Sequence, residues 1–275
     1  MGRGVIYYVQ GTRHAAVMAV SMMTLRDHYA GDVTILCGDD AAKPYADAIA
    51  ADARASVRMF EGKQQRRHAG YATKPTLPGR SPYDETVLID ADTAVIGSIE
   101  ELFPTHRREW VLTRYSDWVT TGNIVSSRIK RWLKVAPTEA HNALARSRPA
   151  LNTGVMGWGC ESEAALVAWP EMASRLPKVF ISDETAADLI WQKYPEEVRL
   201  LDDRWNWSPL FGASPYPKVR VIHWHGKKHI KRVEGLKLWW PFFLRSWKEN
   251  FGGIQQWAPG GDTYLAEKLG LKAKR

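Results

Sequence analysis

The stretch "ETVLIDADTAVIG", residues 85–97, sets Asp90 and Asp92 one residue apart between two apolar runs. Val87, Leu88 and Ile89 form a short β-rich run of the kind found in a strand covered on both faces. In extended backbone, a spacing of two points both carboxylates to one side, where their charges repel unless a cation or a proton lies between them. Metal binding is the chemistry that suits the pair. Taken alone the pair also fits plainer work, since aspartate favours helix caps and turns. His223 offers a third ligand. It ends the apolar run "VRVIH" and precedes a glycine turn, where a neutral imidazole either completes a carboxylate site or serves as a structural histidine. Two carboxylates and one imidazole suit Mn²⁺, with Mg²⁺ as the alternative, and leave positions for phosphate oxygens.

Strands alternating with helices must position these residues. A strand is expected over 5–9, then a turn at Gly11 and a helix with Met18, Met22 and Leu25 on one face. A second unit follows: strand 33–37, a helix whose Ala46, Ile49, Ala50 and Ala53 share a face, and strand 57–60. After an arginine-rich loop comes the strand ending at Asp90. This order predicts an α/β fold with a mostly parallel central sheet flanked by helices, whose ligands bind beyond the carboxyl ends of the strands. Later strands are expected at 110–113, 154–158, 198–201 and 219–223, and helices at 162–175 and 183–194, with residues 116–149 as an insertion.

At 275 residues the chain is read as one large domain without a linker. A nucleotide-binding half is expected over about 1–115, an acceptor-side half over about 116–235, and a basic aromatic segment over about 236–275. Hydrophobic residues make up 45% and charged residues 25%, which excludes extensive disorder. No run of 18 apolar residues occurs and the amino terminus enters a strand directly, so a cytoplasmic protein, at most peripheral to a membrane, is expected. Cys37 and Cys160 stand in apolar neighbourhoods and read as buried thiols, not as a disulfide framework or a zinc site. The net charge of +8 points to an anionic partner. "GKKHIKR" at 226–232 and "KLWWPFFLRSWK" at 237–248 concentrate that charge between large aromatics, as a binding surface or as a solvated loop beside a core helix. The 13 tryptophans serve the core or stack sugar and base rings.

Five motifs in a fixed order carry a family resemblance: "YATKPTLPGRSPYDETVLIDADTAVIGSIEELF", "LNTGVMGW", "SDETAADLIW", "DDRWNW" and "VIHWHGKK". The series resembles the retaining GT-A glycosyltransferases of family GT8, the glycogenin and lipopolysaccharide galactosyltransferase type. The resemblance implies a nucleotide-sugar donor, usually a UDP-sugar, and a divalent metal bound by Asp90, Asp92 and His223, with Ala91 between the carboxylates at the donor. It implies that Lys74 contacts donor phosphate and sugar, that the Asn152 amide orients the sugar, and that Gly154 permits its close approach. A lysine and a metal together would stabilise the leaving diphosphate. Tyr8, Val9 and Gln10 match uracil and ribose neighbours by position.

Two departures from the family pattern stand out. Asp183 is followed by Glu184 where the family has glutamine, so two acidic residues would bind donor hydroxyls or stabilise positive charge at the anomeric carbon; a helix-capping Asp183 is the plainer alternative. Where the family has a lysine six residues after the metal histidine, His229 stands here, leaving Lys227 or Lys228, beside Gly226 at the donor, to supply the phosphate contact. The acceptor is expected to be anionic, a glycolipid or lipopolysaccharide on one side and nucleic acid on the other. Two other functions compete. "QGTRH" echoes the phosphate loop of sugar nucleotidyltransferases but lacks its glycine-rich run, and Arg66, Arg67 and His68 with "RIKRWLK" at 128–134 suit a nucleic-acid or membrane-surface binding module.

Overall fold

The computed structural model describes residues 2–60, 72–114, 137–138, 151–176, 182–207 and 219–223. The chain forms two compact units, each assembled from separated stretches. An amino-terminal unit takes Gly4–Gly62, Ile89–Ile99 and Ser208–Arg275; a central unit takes Met1–Arg3, Lys63–Leu88 and Glu100–Trp207. The architecture is α/β, with a mostly parallel central sheet and flanking helices.

In the amino-terminal unit, β1 (Arg3–Val9), α1 (Thr12–Arg26), β2 (Asp32–Cys37), α2 (Lys43–Ala53) and β3 (Ser56–Met59) follow one another. The strands lie in the order β3-β2-β1 and both pairings are parallel. Val5, Ile6, Tyr7 and Val9 are all buried, as a strand covered on both faces requires. Met18, Met22 and Leu25 of α1 and Ala46, Ile49, Ala50 and Ala53 of α2 form the expected buried faces. Helix α2 ends at Arg54 in the left-handed conformation, with φ of 52°. The Arg26 guanidinium gathers the loose carbonyls of these helix ends, donating to Ala53 O, Arg54 O, Tyr29 O and Gly31 O.

In the central unit, β4 (Glu85–Ile89), β6 (Trp110–Arg114), β7 (Leu151–Gly159) and β8 (Val198–Leu201) lie in the order β4-β7-β6-β8. Strand β6 pairs antiparallel with β7 and parallel with β8. β7 is buried along its whole length. A side chain at Gly157 would place Cβ 1.9 Å from the Leu102 carbonyl oxygen, so this strand tolerates only glycine where the 100–102 turn crosses it. Trp110 and Trp169 pack with ring centroids 5.2 Å apart, which gives several tryptophans a core role.

Three local expectations are corrected. β7 begins at Leu151, three residues before the expected start, so Asn152, Thr153 and Gly154 belong to the strand. The helix expected over 162–175 divides into a wide turn, Ala164–Ala168, and α3 (Trp169–Arg175), because Pro170 has no N–H to extend a regular ladder. α4 (Ser182–Lys193) follows nearly as expected. Cys160 is only half-buried and accepts from the Arg107 guanidinium at 3.0 and 3.3 Å, whereas Cys37 is buried; both thiols are free. Among the described residues no helix is long and apolar enough to cross a membrane.

A partly buried ion pair ties the central strands together. Glu109 precedes β6 and accepts from Arg199 Nε of β8 at 3.0 Å and from the Thr105 N–H at 2.7 Å; Arg199 also donates to the carbonyls of Glu101 and Phe103. Burial pushes the Glu109 carboxyl up, but Arg199 and the Thr105 N–H outweigh it and hold the carboxyl below its ordinary value. A depressed carboxyl stabilises the fold above its unfolded pKa and stops doing so as pH falls through the folded value. Glu109→Gln is therefore expected to cost about 2 kcal/mol near neutral pH, with the difference from wild type shrinking in acid. Urea unfolding at the two pH values checks this.

Candidate metal centre and buried polar cluster

Ile89 delivers the chain to the carboxyl end of β4, and Asp90, Ala91 and Asp92 turn it into β5 (Thr93–Val95). The two aspartates sit on a turn, not on the extended backbone that the spacing alone suggested. Thr93 Oγ1 closes that turn by donating to the Asp90 carbonyl at 2.9 Å. β5 pairs antiparallel with β9 (Val221–His223), in a register that sets Thr93 opposite His223. His223 Nε2 thereby lies 3.1 Å from Asp92 Oδ1 and 3.9 Å from Asp90 Oδ2. One ligand atom from each of the three residues falls within 4.8 Å of the others. His223 is buried, while Asp90 and Asp92 are partly open.

This set fits a divalent cation. Ligand atoms about 2.1 Å from an octahedral ion lie about 3.0 Å apart when adjacent and about 4.2 Å apart when opposite, and the observed 3.1 and 3.9 Å fall in that window. Two carboxylates supply hard oxygens and compensating charge, and the imidazole supplies a neutral nitrogen.

The same unit gathers the ends of its parallel strands. Tyr8 is half-buried, with its hydroxyl 3.2 Å from Gln10 Oε1 and its ring edge-on to Phe60 at 5.7 Å. The Val9 side chain is buried and its carbonyl accepts from the Gly38 N–H at 2.8 Å. Gly11 turns from β1 into α1 with φ of 75°, a conformation that favours glycine. Its N–H donates to Asp39 Oδ2 at 2.8 Å, while Asp39 Oδ1 accepts from the Ala42 N–H at 2.8 Å. Asp39, which carries no motif, thus joins the loops after β1 and β2.

The central unit holds a second cluster, organised by a bulge. Leu112 pairs with Met156 but Thr113 pairs with Asn152, so Thr153, Gly154 and Val155 loop out of the β6–β7 ladder. Thr113 Oγ1 lies 2.9 Å from Val155 O and 3.2 Å from Asn152 O and donates into the bulge. The Asn152 side-chain oxygen accepts from the Gly154 N–H and from Asn206 Nδ2, each at 2.7 Å. That saturates the oxygen and leaves Asn152 Nδ2 buried without a hydrogen-bond partner among the described residues. Thr153 Oγ1 donates to Asp183 Oδ2 at 2.8 Å, Lys74 Nζ lies 3.8 Å from the same oxygen, and Asp183 Oδ1 is buried with no hydrogen-bond partner. Asp183 opens α4, and its carbonyl accepts from Trp169 Nε1 at 2.9 Å, which fixes the helix start. Glu184 is buried beside it.

Lys74, Asn152, Gly154, Asp183 and Glu184 thus belong to the central unit, and Tyr8, Val9, Gln10, Asp90, Ala91, Asp92 and His223 to the amino-terminal one. Gly226, Lys227, Lys228, His229 and the basic segments at 66–68, 128–134 and 237–248 lie outside the described residues. Sequence reasoning passed over Thr153, Asn206 and Asp39. The motif "DDRWNW" contained Asn206, but only the fold shows which atoms its amide meets.

No family model and no curated protein matches the chain. Solved structures do. The bifunctional glycosyltransferase WbbM in its apo form is similar at 13% identity and a TM-score of 0.62, with 90% of this chain and 50% of that one covered. The apo form of the glycosyltransferase GlyE of Streptococcus pneumoniae TIGR4 is similar at 13% identity and a TM-score of 0.60, covering 92% and 65%. The galactosyltransferase LgtC in complex with donor and acceptor sugar analogues is similar at 16% identity and a TM-score of 0.55, covering 99% and 97%. The chain thus spans half of WbbM, about two thirds of GlyE and nearly all of LgtC. These likenesses identify its architecture as the GT-A fold of glycosyltransferases.

Proposed function

We propose that the protein is a metal-dependent glycosyltransferase of the GT8 type, which moves a sugar from a nucleotide-sugar donor, a UDP-sugar, to an acceptor hydroxyl with retention. The observation that carries the proposal is the convergence of Asp90, Asp92 and His223 at a strand end of a GT-A fold. These three residues would hold Mn²⁺ or Mg²⁺. A cation held there would neutralise charge on the leaving diphosphate. Lys74 supplies a further positive charge toward donor phosphate and sugar.

The buried cluster supplies the sugar contacts. A buried polar atom left without a partner costs about 1–3 kcal/mol, and both Asn152 Nδ2 and Asp183 Oδ1 are in that state. One donates and the other accepts, which suits a pair of sugar hydroxyls. Asp183 and Glu184 also add negative charge that opposes the positive charge developing at the anomeric carbon. In the retaining course the bond from anomeric carbon to phosphate oxygen breaks. The acceptor oxygen bonds to the same face, and its proton passes to the departing phosphate.

The acceptor is proposed to be anionic, on the strength of the net charge of +8, and a membrane glycolipid is preferred to nucleic acid because the basic segment at 237–248 also carries five large aromatics. The proposal includes a protein that is cytoplasmic and peripheral to the membrane. Salt-dependent binding to anionic liposomes but not to DNA is the expected result.

Calorimetry should show UDP binding tighter with Mn²⁺ than with chelator; equal affinity in both would remove the metal from the proposal. Asp92→Asn should fold normally and weaken Mn²⁺ binding by more than about 100-fold, the upper range for losing a residue that merely supports a ligand. Asp183→Asn should keep UDP affinity near that of wild type while slowing transfer, and equal losses in both would separate this residue from the sugar. Asn206→Asp replaces the amide that donates to Asn152 and Thr113 with a carboxylate. It is expected to cost about 1–3 kcal/mol of stability and to slow transfer by about 100-fold through misplacement of Asn152, as thermal unfolding and steady-state assays would read.

A further inference from the structure

We propose that Thr93, Ser21 and Tyr7 are positioning residues for the metal centre, a chain of three buried hydroxyls that holds the Asp90–Asp92 turn in its ligating shape. The inference rests on the metal reading given above and adds residues to which no role has been assigned. Its basis is a strict accounting of protons. The Asp90 carbonyl can only accept, so Thr93 must donate its single hydroxyl proton there, at 2.9 Å. Thr93 Oγ1 also lies 2.6 Å from Ser21 Oγ, and with the Thr93 proton committed, Ser21 has to be the donor. Ser21 Oγ lies 2.9 Å from the Tyr7 hydroxyl, and by the same logic Tyr7 donates. All three hydroxyls therefore point one way, from β1 through α1 to the metal turn. All three residues are fully buried, so water does not compete for these bonds.

Two further observations bear on these hydroxyls. Burial raises the Tyr7 hydroxyl well above its ordinary pKa, against a smaller opposing effect of the Ser21 hydrogen bond, so Tyr7 keeps the proton it must donate. On α1, Ser21 and Thr24 are buried beside Met18, Met22 and Leu25, where alanine would serve a purely apolar core better. Both hydroxyl residues reach β5 instead: Thr24 Oγ1 donates to Ser21 O at 3.0 Å and accepts from the Val95 N–H at 3.0 Å. The helix thus grips β5 at Thr93 and at Val95, on the strand that immediately follows Asp92.

The test compares the full-length wild type with Thr93→Val, Thr93→Ser and Ser21→Ala, using electron paramagnetic resonance to count free Mn²⁺ in titrations and thermal unfolding of the metal-free proteins. Thr93→Val keeps the shape and removes the donor, and is expected to weaken Mn²⁺ binding about tenfold, the lower range for residues that support a ligand from behind. Thr93→Ser restores the hydroxyl and should bind Mn²⁺ as wild type does, even where its Tm is lower. Ser21→Ala should weaken binding by a smaller factor, and it carries the test if Thr93→Val does not fold. Wild-type Mn²⁺ affinity in folded Thr93→Val and Ser21→Ala, with only Tm reduced, would make the hydroxyl chain ordinary core and overturn the inference. Absence of Mn²⁺ binding in the wild type itself would overturn the metal reading, and this inference with it.

Discussion

Two carboxylates on one tight turn repel each other, and the amino-terminal unit is arranged around that repulsion. Like charges about 4 Å apart oppose each other by about 4 kcal/mol in partly screened surroundings. A hydrogen bond to a charged group returns about 1.5–3 kcal/mol, and one such contact joins His223 to Asp92. The scaffold also holds the turn. The β5–β9 ladder fixes where His223 stands, and the buried threonine and serine hydroxyls tie the turn to α1. A pair kept together against its own charge is ready for a cation, because little reorganisation remains to be done on binding.

The central unit stores a different kind of tension. Its bulge at Thr153–Val155 breaks a buried ladder, and Thr113 and Asn206 restore most of the lost hydrogen bonds. Among the described residues, the buried side-chain atoms without a hydrogen-bond partner include one amide nitrogen on Asn152 and one carboxylate oxygen on Asp183. Native interiors leave few such atoms unpaired. A fold that keeps them gives up stability, as sites kept for reasons other than packing do.

Sharing the GT-A fold at 13–16% identity with solved glycosyltransferases also has a physical basis. Buried strands such as β1 and β7 ask only for apolar residues of suitable shape, so many sequences fill them. Chemistry depends on a few polar groups at strand ends, and those set what each chain does on the shared scaffold. Asp183 followed by Glu184 gives this chain two buried acidic residues at the start of α4, a local feature that the fold neither demands nor forbids.

The sequence by itself determined the alternation of strands and helices, the buried faces of α1 and α2, and the pairing of Asp90 with Asp92, because each depends on residues close together along the chain. Hydrophobic period and turn chemistry are local signals. It did not determine the start of β7, where a bulge held by Thr113 and Asn206 keeps Asn152 and Gly154 in the strand. It did not show that Asp90 and Asp92 lie on a turn, because Thr93 closes that turn through its own hydroxyl while Ser21, 72 residues away, buttresses it. His223 was visible as a candidate ligand, but only the antiparallel register of β5 and β9 set it beside Asp92. Such contacts join residues far apart in sequence, and no propensity of either partner encodes the distance between them; packing of the whole unit decides it.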